Sequence, residues 1–411
     1  PRDNIGKVFN GSLKIPLSTQ AFDIWGNDHE DFVMENGDAD GICAAEERSL
    51  YPVPWLSRPT GQIMVSMRTP KGADSAIDTR ALLSRLQQRL QDHGYTAVMA
   101  AEMEFHLLSG IDHRGRPIHG QQTPEGDVAA GGDTYGIDSM QTSAELMHAI
   151  RDAALAQELP VDTLIKESAP SQYEVNLYHR PDALLSADQG LMLQRVIRGV
   201  ANAHGKKATF MAKPFADISG NGMHVHCSLL DSDGNNAFDD GTGAGTPFLR
   251  QAIAGCLATM AEFMLLLAPH ANSYRRFTAG AHAPLSPTWG YENRTVALRV
   301  PADKPVATRI EHRVAGADAS PYLVYAAILA GILHGLENEL DCPEPLAGNA
   351  YDIPGPRLPS SWVDAHRAFS ESEAAKTYLG TEFQRVYSLV KQQEIDRFAT
   401  DISPFEYASY L

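Results

Sequence analysis

AAEMEFHL, residues 100–107, decides how the rest of the chain is read. In a strand, successive side chains alternate faces, so Glu102 and Glu104 share one side while Met103 and Phe105 face the other. Two carboxylates side by side on a strand repel each other unless a cation lies between them or water screens them. Taken alone, such a pair reads as the solvated face of an edge strand. Later stretches repeat the design. In QYEVNL (172–177), Gln172, Glu174 and Asn176 share a face, and Glu167 precedes them. In MHVHCSL (223–229), His224, His226 and Ser228 share a face, with Met223, Val225 and Cys227 opposite. In RIEHR (309–313), Arg309, Glu311 and Arg313 share a face, and in TVALRV (295–300) Arg299 stands among apolar residues. If these strands are neighbours in one sheet, one surface of that sheet is a polar pocket of Glu, His and Arg.

A chain of 411 residues with 43% hydrophobic and 21% charged residues reads as a soluble protein with more than one domain. Its net charge of −17, from 34 basic against 51 acidic residues, and the lack of any Lys/Arg-rich run argue against nucleic acid as a partner. Cys43, Cys227, Cys256 and Cys342 are scattered without a CxxC and fit reduced thiols in the cytoplasm. No segment has the length and apolarity of a membrane span, and none reads as a signal peptide. The chain opens on Pro1, which is read as residues missing upstream.

Residues 1–70 read as a small β-rich domain, with β patterns at 9–17, 19–25 and 62–67, an acidic loop at 27–40 and a proline-rich connector at 51–59. Leu82, Leu83, Leu86 and Leu90 predict a helix over 79–93, with Thr79 as its cap and Gly94 as its stop. A strand follows at 95–107 and a Gly-rich loop at 113–132. Helices are expected at 143–157, 183–204, 247–267, 320–340 and 382–398. Strand character is expected at 161–177, 208–211 and 222–230. The irregular mixture predicts an α+β fold with one large domain after the small one.

Glu102, Glu104, Glu167, Glu174 and Glu311 offer hard oxygens and His224 a nitrogen, a set suited to Mg²⁺ or Mn²⁺ and large enough for two ions. Cysteine is absent from it, which argues against a structural zinc site. Arg276, Arg294, Arg299, Arg309 and Arg313 supply forks for phosphate or carboxylate. Carboxylates, divalent metal and arginines together are the parts of a phosphoryl-transfer site that uses a nucleotide. There is no Walker A pattern, and no Gly-x-Ser-x-Gly to support a serine hydrolase.

In order along the chain, AEMEF (101–105), ESAPSQYE (167–174), TFMAKP (209–214), GNGMHVHCSL (220–229), NSYRR (272–276), ENRTVALRVP (292–301) and RIEHRVAGADASPYLVYAAILAG (309–331) resemble the glutamine synthetase superfamily. The resemblance implies an N-terminal β-grasp domain over residues 1–75. It implies a catalytic domain with a curved antiparallel sheet over 76–411, and a ring homo-oligomer, a double-ring dodecamer, with active sites between subunits. It implies ATP and two or more Mg²⁺ or Mn²⁺ ions. Carried over by motif, Glu104, Glu167 and Glu174 look like the ligands of one metal, and Glu102, His224 and Glu311 like those of the other. His226, Arg299 and Arg309 match positions near the nucleotide. Arg276, Arg294 and Arg313 match positions that hold glutamate or the transferred phosphate, and Gly220 lies in the loop that cradles glutamate.

The departures bear on the second substrate. Where family members that use ammonia carry a glutamate in a loop reading roughly G-Y-E-A-P, this chain has GAHAP (280–284), with His282 in place of the glutamate. A neutral imidazole does not attract ammonium as a carboxylate does, although it can accept a proton near neutral pH. The F-D-G-S-S segment of the family is here FDIWGN (22–27): Asp23 matches the aspartate, and Trp25 adds bulk where small serines are usual. Ser219 stands where Asn is common. The first two changes resemble γ-glutamyl-amine ligases, which take a polyamine or monoamine. The alternatives are an ordinary glutamine synthetase and a non-catalytic binding protein of the same family. NAYDIP (349–354) resembles the segment whose tyrosine is adenylylated in bacterial glutamine synthetases, which marks Tyr351 as a candidate regulatory position.

Overall fold

A computed structural model describes residues 5–113, 115–120, 133–301 and 304–411. Its strands are β1 (Lys14–Pro16), β2 (Asp40–Ala45), β3 (Tyr51–Pro52), β4 (Gly61–Gln62), β5 (Val65–Arg68), β6 (Thr96–Ile111), β7 (Pro117–His119), β8 (Val161–Lys166), β9 (Gln172–Leu177), β10 (Lys207–Thr209), β11 (Met223–Leu230), β12 (Trp289–Tyr291), β13 (Leu298–Val300) and β14 (Ile310–His312). The mixture of helix and strand agrees with the α+β reading.

The large sheet has nine strands and runs β12-β13-β14-β11-β6-β9-β8, with β7 and β10 pairing the far end of β6. β6, which carries AAEMEFHL, is the 16-residue strand at its centre. The alternation holds: Met103 and Phe105 are fully buried on one face, backed by Met223, Val225, Cys227, Tyr173 and Val175. The sheet departs from expectation in one respect, because β12 and β13 run parallel while the other recorded pairs are antiparallel.

Behind the buried face lie helices whose sequences predict them. Thr79–Asp92 buries Leu82, Leu83, Leu86 and Leu90, but its cap is Asp78, whose carboxylate accepts from the Ala81 N–H, rather than Thr79. Ala183–Ala203 is capped in the same way by Asp182. The apolar run at 247–267 is not one helix. It forms Pro247–Thr259 and Met264–Leu267, and the break holds Glu262, whose carboxylate accepts from the Ser372 hydroxyl. A charged side chain inside an apolar run needs a partner, and leaving the helix is how Glu262 reaches one. Pro247–Thr259 packs on the buried helix Pro321–Glu337 at backbone contact. A Cβ on Gly335 would stand 1.9 Å from the Gln251 carbonyl oxygen, so only glycine fits there.

The N-terminal region differs most from the sequence reading. β1, β2 and β5 form a three-stranded antiparallel sheet. Residues 19–25, expected as a strand, form none: 19–21 end the 3₁₀ turn Leu17–Ala21, where the Thr19 hydroxyl bonds back to the Pro16 carbonyl, and 24–25 lie in a turn. The acidic loop at 27–40 contains the helix Glu30–Asn36, with Glu30 and Asp31 in its first turn, where carboxylates favour the helix dipole. Within the expected loop at 113–132, β7 pairs β6. Residues 121–132, like Arg114 and Pro1, lie outside the described residues.

Candidate active site

Strand register brings the functional residues together. Glu102 stands opposite His224 on one side and Asn176 on the other. Glu104 stands opposite Glu174, His226 opposite Glu311, and Arg299 opposite Glu311. The polar faces of β13, β14, β11, β6 and β9 therefore form one continuous surface. Above it lies a cavity of about 510 Å³. Of the candidate residues, Glu102, Glu104, Glu167, Glu174, His224, Glu311, Gly220, Arg276, Arg294, Arg299, Arg313 and His282 line it. Strands supply Glu102, Glu104, Glu174, His224 and Glu311, Arg276 ends the 3₁₀ turn Ser273–Arg276, and Gly220 and His282 come from loops.

The cavity is electrostatically divided. On one side Glu311 takes Arg299 at 2.8 Å on one oxygen and Arg313 on the other. Although burial pushes its carboxyl up, Arg313 and the histidines hold it down at about 2. Glu102 bridges the two histidines, His226 at 2.7 Å and His224 at 3.3 Å. Burial again opposes, yet those hydrogen bonds keep Glu102 well below the usual carboxylate range. Burial and Arg313 push the His224 imidazole down to about 4, so it is neutral and able to act as a ligand.

On the other side carboxylates crowd, and the nearby cations do not outweigh burial and mutual repulsion. Burial, followed by Glu102, Glu104 and Glu167, pushes Glu174 up to about 9. Burial and Glu167 push Glu104 up to about 7, although Arg276 and the Gly222 N–H act against them. Burial raises Glu167 as well. A buried group of carboxylates that resist ionisation in each other's company is suited to a divalent ion with oxygen ligands, so the residues present fit the implied metal. Among the described residues two sets have potential ligand atoms mutually within 4.8 Å: Glu102, Glu174 and His224, and Glu102, His226 and Glu311. This grouping differs from the motif-derived one, because Glu102 here is turned between the two histidines.

Arg299 Nε and Arg313 Nε are buried with no hydrogen-bond partner among the described residues. Buried guanidinium N–H groups without a partner are costly. Arg276 is held by the carbonyls of Val314 at 2.9 Å and Arg313 at 3.4 Å.

Three candidates stand outside the cavity lining. His226 and Arg309 are two of them: His226 bonds the lining residue Glu102, and Arg309 Nε donates to His226 Nδ1 at 3.1 Å. Asp23 is not brought to this cavity within the chain. Its carboxylate accepts from the N–H groups of Trp25 and Asn27 and from Gln393. Those bonds overcome burial and hold it at about 2.

Other lining residues had no assigned role. Gln172 donates to Glu104 at 3.2 Å and to the Gly220 carbonyl at 2.8 Å, tying a metal candidate to the glycine loop. Ser168 donates to Ser219 at 2.8 Å, closing the rim between two loops. Alternation alone placed Gln172 and Asn176 on the polar face. Thr134 and Tyr135 also line the cavity, and nothing in their local sequence singled them out.

Residues 76–410 match the family model described as glutamine synthetase, catalytic domain. The chain is 39% identical to gamma-glutamylputrescine synthetase of Escherichia coli, over 99% of this chain and 86% of that protein. It is 32% identical to gamma-glutamylethanolamide synthetase of Streptomyces coelicolor, over 94% of this chain and 80% of that one. The solved apo structure of GmaS superposes with a TM-score of 0.86 at 26% identity, covering 100% of this chain and 92% of that one.

Proposed function

This chain belongs to the glutamine synthetase family, and from that premise we propose that it is an ATP-dependent ligase joining the γ-carboxylate of glutamate to an organic amine. The observation that carries the choice of amine over ammonia is His282. It lines a cavity whose carboxylates and arginines are otherwise those the family motifs require. The relatives named for putrescine and ethanolamide products support the same choice.

In this reading the glutamate γ-carboxylate attacks the γ-phosphorus of ATP, ADP departs, and γ-glutamyl phosphate forms. A neutral amine then attacks the acyl carbon and phosphate leaves, giving the amide. Arg276, Arg294 and Arg313, which line the cavity, hold glutamate and the transferred phosphoryl group. His226, Arg299 and Arg309 serve the nucleotide side. Gly220 shapes the glutamate loop, and His282 faces the amine and accepts its proton. Glu104, Glu167 and Glu174 would hold one divalent ion, and Glu102, His224 and Glu311 a second, either Mg²⁺ or Mn²⁺. Bound there, such ions supply Lewis-acid neutralisation of phosphate charge.

Residues 1–75 are read as the family's β-grasp domain, supported by the three-stranded sheet and its adjoining helix. A double-ring homo-oligomer would bring Asp23 of a neighbouring copy to the amine side. The exposed Ile24 and Trp25 beside it support a contact there. No described helix is long and apolar enough to cross a membrane. The unpaired cysteines support a cytoplasmic setting.

Phosphate release with ATP, glutamate and single amines (ammonia, methylamine, ethanolamine, isopropylamine, putrescine, aniline) tests the reading. An organic amine should give the highest kcat/KM. If ammonia does, the protein is an ordinary glutamine synthetase. If none supports turnover while ATP and metal bind, it is a binding protein.

A further inference from the structure

The loop 280–284 carries His282 and has little regular structure to hold it. Gly280 and His282 both have left-handed backbones, at φ 81° and 54°. For histidine that conformation is disfavoured and persists only when neighbouring contacts enforce it. One such contact comes from a distant segment. The Tyr351 hydroxyl donates to the Ala283 carbonyl at 3.1 Å. Ala283 itself is fully buried.

The segment around Tyr351 is in turn tied to the segment that bears Arg294. Its own N–H is taken by the Asn349 side chain at 3.2 Å, and the Ala350 N–H by the Thr295 hydroxyl at 2.9 Å. The Asn293 side chain donates to the Gly348 carbonyl at 2.8 Å. Asn293 and Thr295 flank Arg294, which lines the cavity. The phenol therefore spans from the arginine-bearing segment to the histidine-bearing loop. Burial pushes its hydroxyl up while Arg276 and Arg313 act against that, so it is a neutral donor at physiological pH.

We propose that Tyr351 is a positioning residue: its hydroxyl locks the 280–284 loop in the backbone conformation that aims His282 at the amine. It touches neither glutamate nor nucleotide in this scheme. The inference rests on the reading that His282 faces the amine.

Tyr351→Phe keeps the ring and removes only the oxygen, and it is tested in the full-length protein with hydrogen exchange of the 280–285 amides and with steady-state kinetics. Exchange of the loop amides should rise by about five- to ten-fold, and KM for the preferred amine by about the same factor, as expected for losing one neutral hydrogen bond. KM for ATP and for glutamate should stay within about two-fold, which a general loosening of the site would not allow. Unchanged exchange in the loop overturns the clamp and leaves the amine reading of His282 standing. Raised exchange with an unchanged amine KM overturns the link from loop to amine, and with it that reading. Parallel rises in all three KM values overturn the positioning role.

Discussion

Glu174→Gln separates a metal site from an ordinary polar pocket. Glu174 is buried among Glu102, Glu104 and Glu167, and its carboxyl is pushed from its ordinary 4.5 to about 9. In the metal-free protein at pH 7 the folded state therefore holds a proton there that the unfolded chain has released. A raised carboxyl makes folding less favourable as pH climbs from about 4.5 to about 9, the reverse of a salt-bridged carboxylate. Two and a half pH units at roughly 1.4 kcal/mol each put the penalty at about 3 kcal/mol at pH 7. Glutamine has the shape of the protonated acid and no ionisation to suppress, so the variant escapes the penalty. With an unfolding entropy of roughly 2.1 cal/mol/K per residue over this chain, 3 kcal/mol corresponds to about 3 °C in Tm. Chelated Glu174→Gln should thus melt about 3 °C above chelated wild type at pH 7 and less than about 1 °C above it at pH 5. Saturating Mg²⁺ should reverse the order, since wild type gains binding free energy that the variant forgoes. Turnover should be lost in the variant under all these conditions. Differential scanning fluorimetry with EDTA and with Mg²⁺, at both pH values, measures each arm. If the chelated variant melts below wild type at pH 7, the crowding of carboxylates is not what the pocket stores, and the metal argument fails.

Three further substitutions probe the division of labour. Glu104→Ala removes the acceptor for the Gly222 N–H and the Gln172 amide together with a proposed metal ligand. It should lower kcat by about 1,000-fold with every amine, and survival of turnover with any one amine would sink its assignment. His282→Glu restores the carboxylate found in ammonia-using relatives by motif; ammonia should gain about ten-fold in kcat/KM relative to the preferred organic amine, measured by competition in one vessel. Gly220→Ala would place a Cβ 2.1 Å from the Ala212 carbonyl oxygen. The loop must then shift, so KM for glutamate should rise at least about five-fold while KM for ATP holds, read from two substrate titrations.

What was legible in the sequence follows from what alternation can and cannot carry. Period-two patterning in β6, β9 and β11 placed Glu102, Glu104, Glu174, His224 and His226 on one face, because burying Met103 or Val225 leaves no other orientation. It could not say which strand lies beside which, and register decides that Glu104 meets Glu174 while Glu102 meets His224. Nor could it say which groups a side chain would choose. Glu102 takes both histidines, and the ligand grouping differs from the motif-derived one for that reason. At Asp23 the residue type matched the family, yet its oxygens are occupied by Trp25, Asn27 and Gln393, the last some 370 residues away in sequence. The N-terminal misreadings have the same origin. Glu30 and Asp31 look like loop composition until they are seen as a first helical turn, and 19–25 looks like a strand until the Thr19 hydroxyl finds the Pro16 carbonyl. Local competition of this kind, between a side chain and the backbone for one hydrogen bond, is settled by differences of about 1 kcal/mol that no pattern of polarity records. The same consideration applies to Tyr351. Its motif pointed outward to modification, whereas the hydroxyl is committed inward to the loop that carries His282. Any chemistry on that oxygen must first break its hydrogen bond to the Ala283 carbonyl.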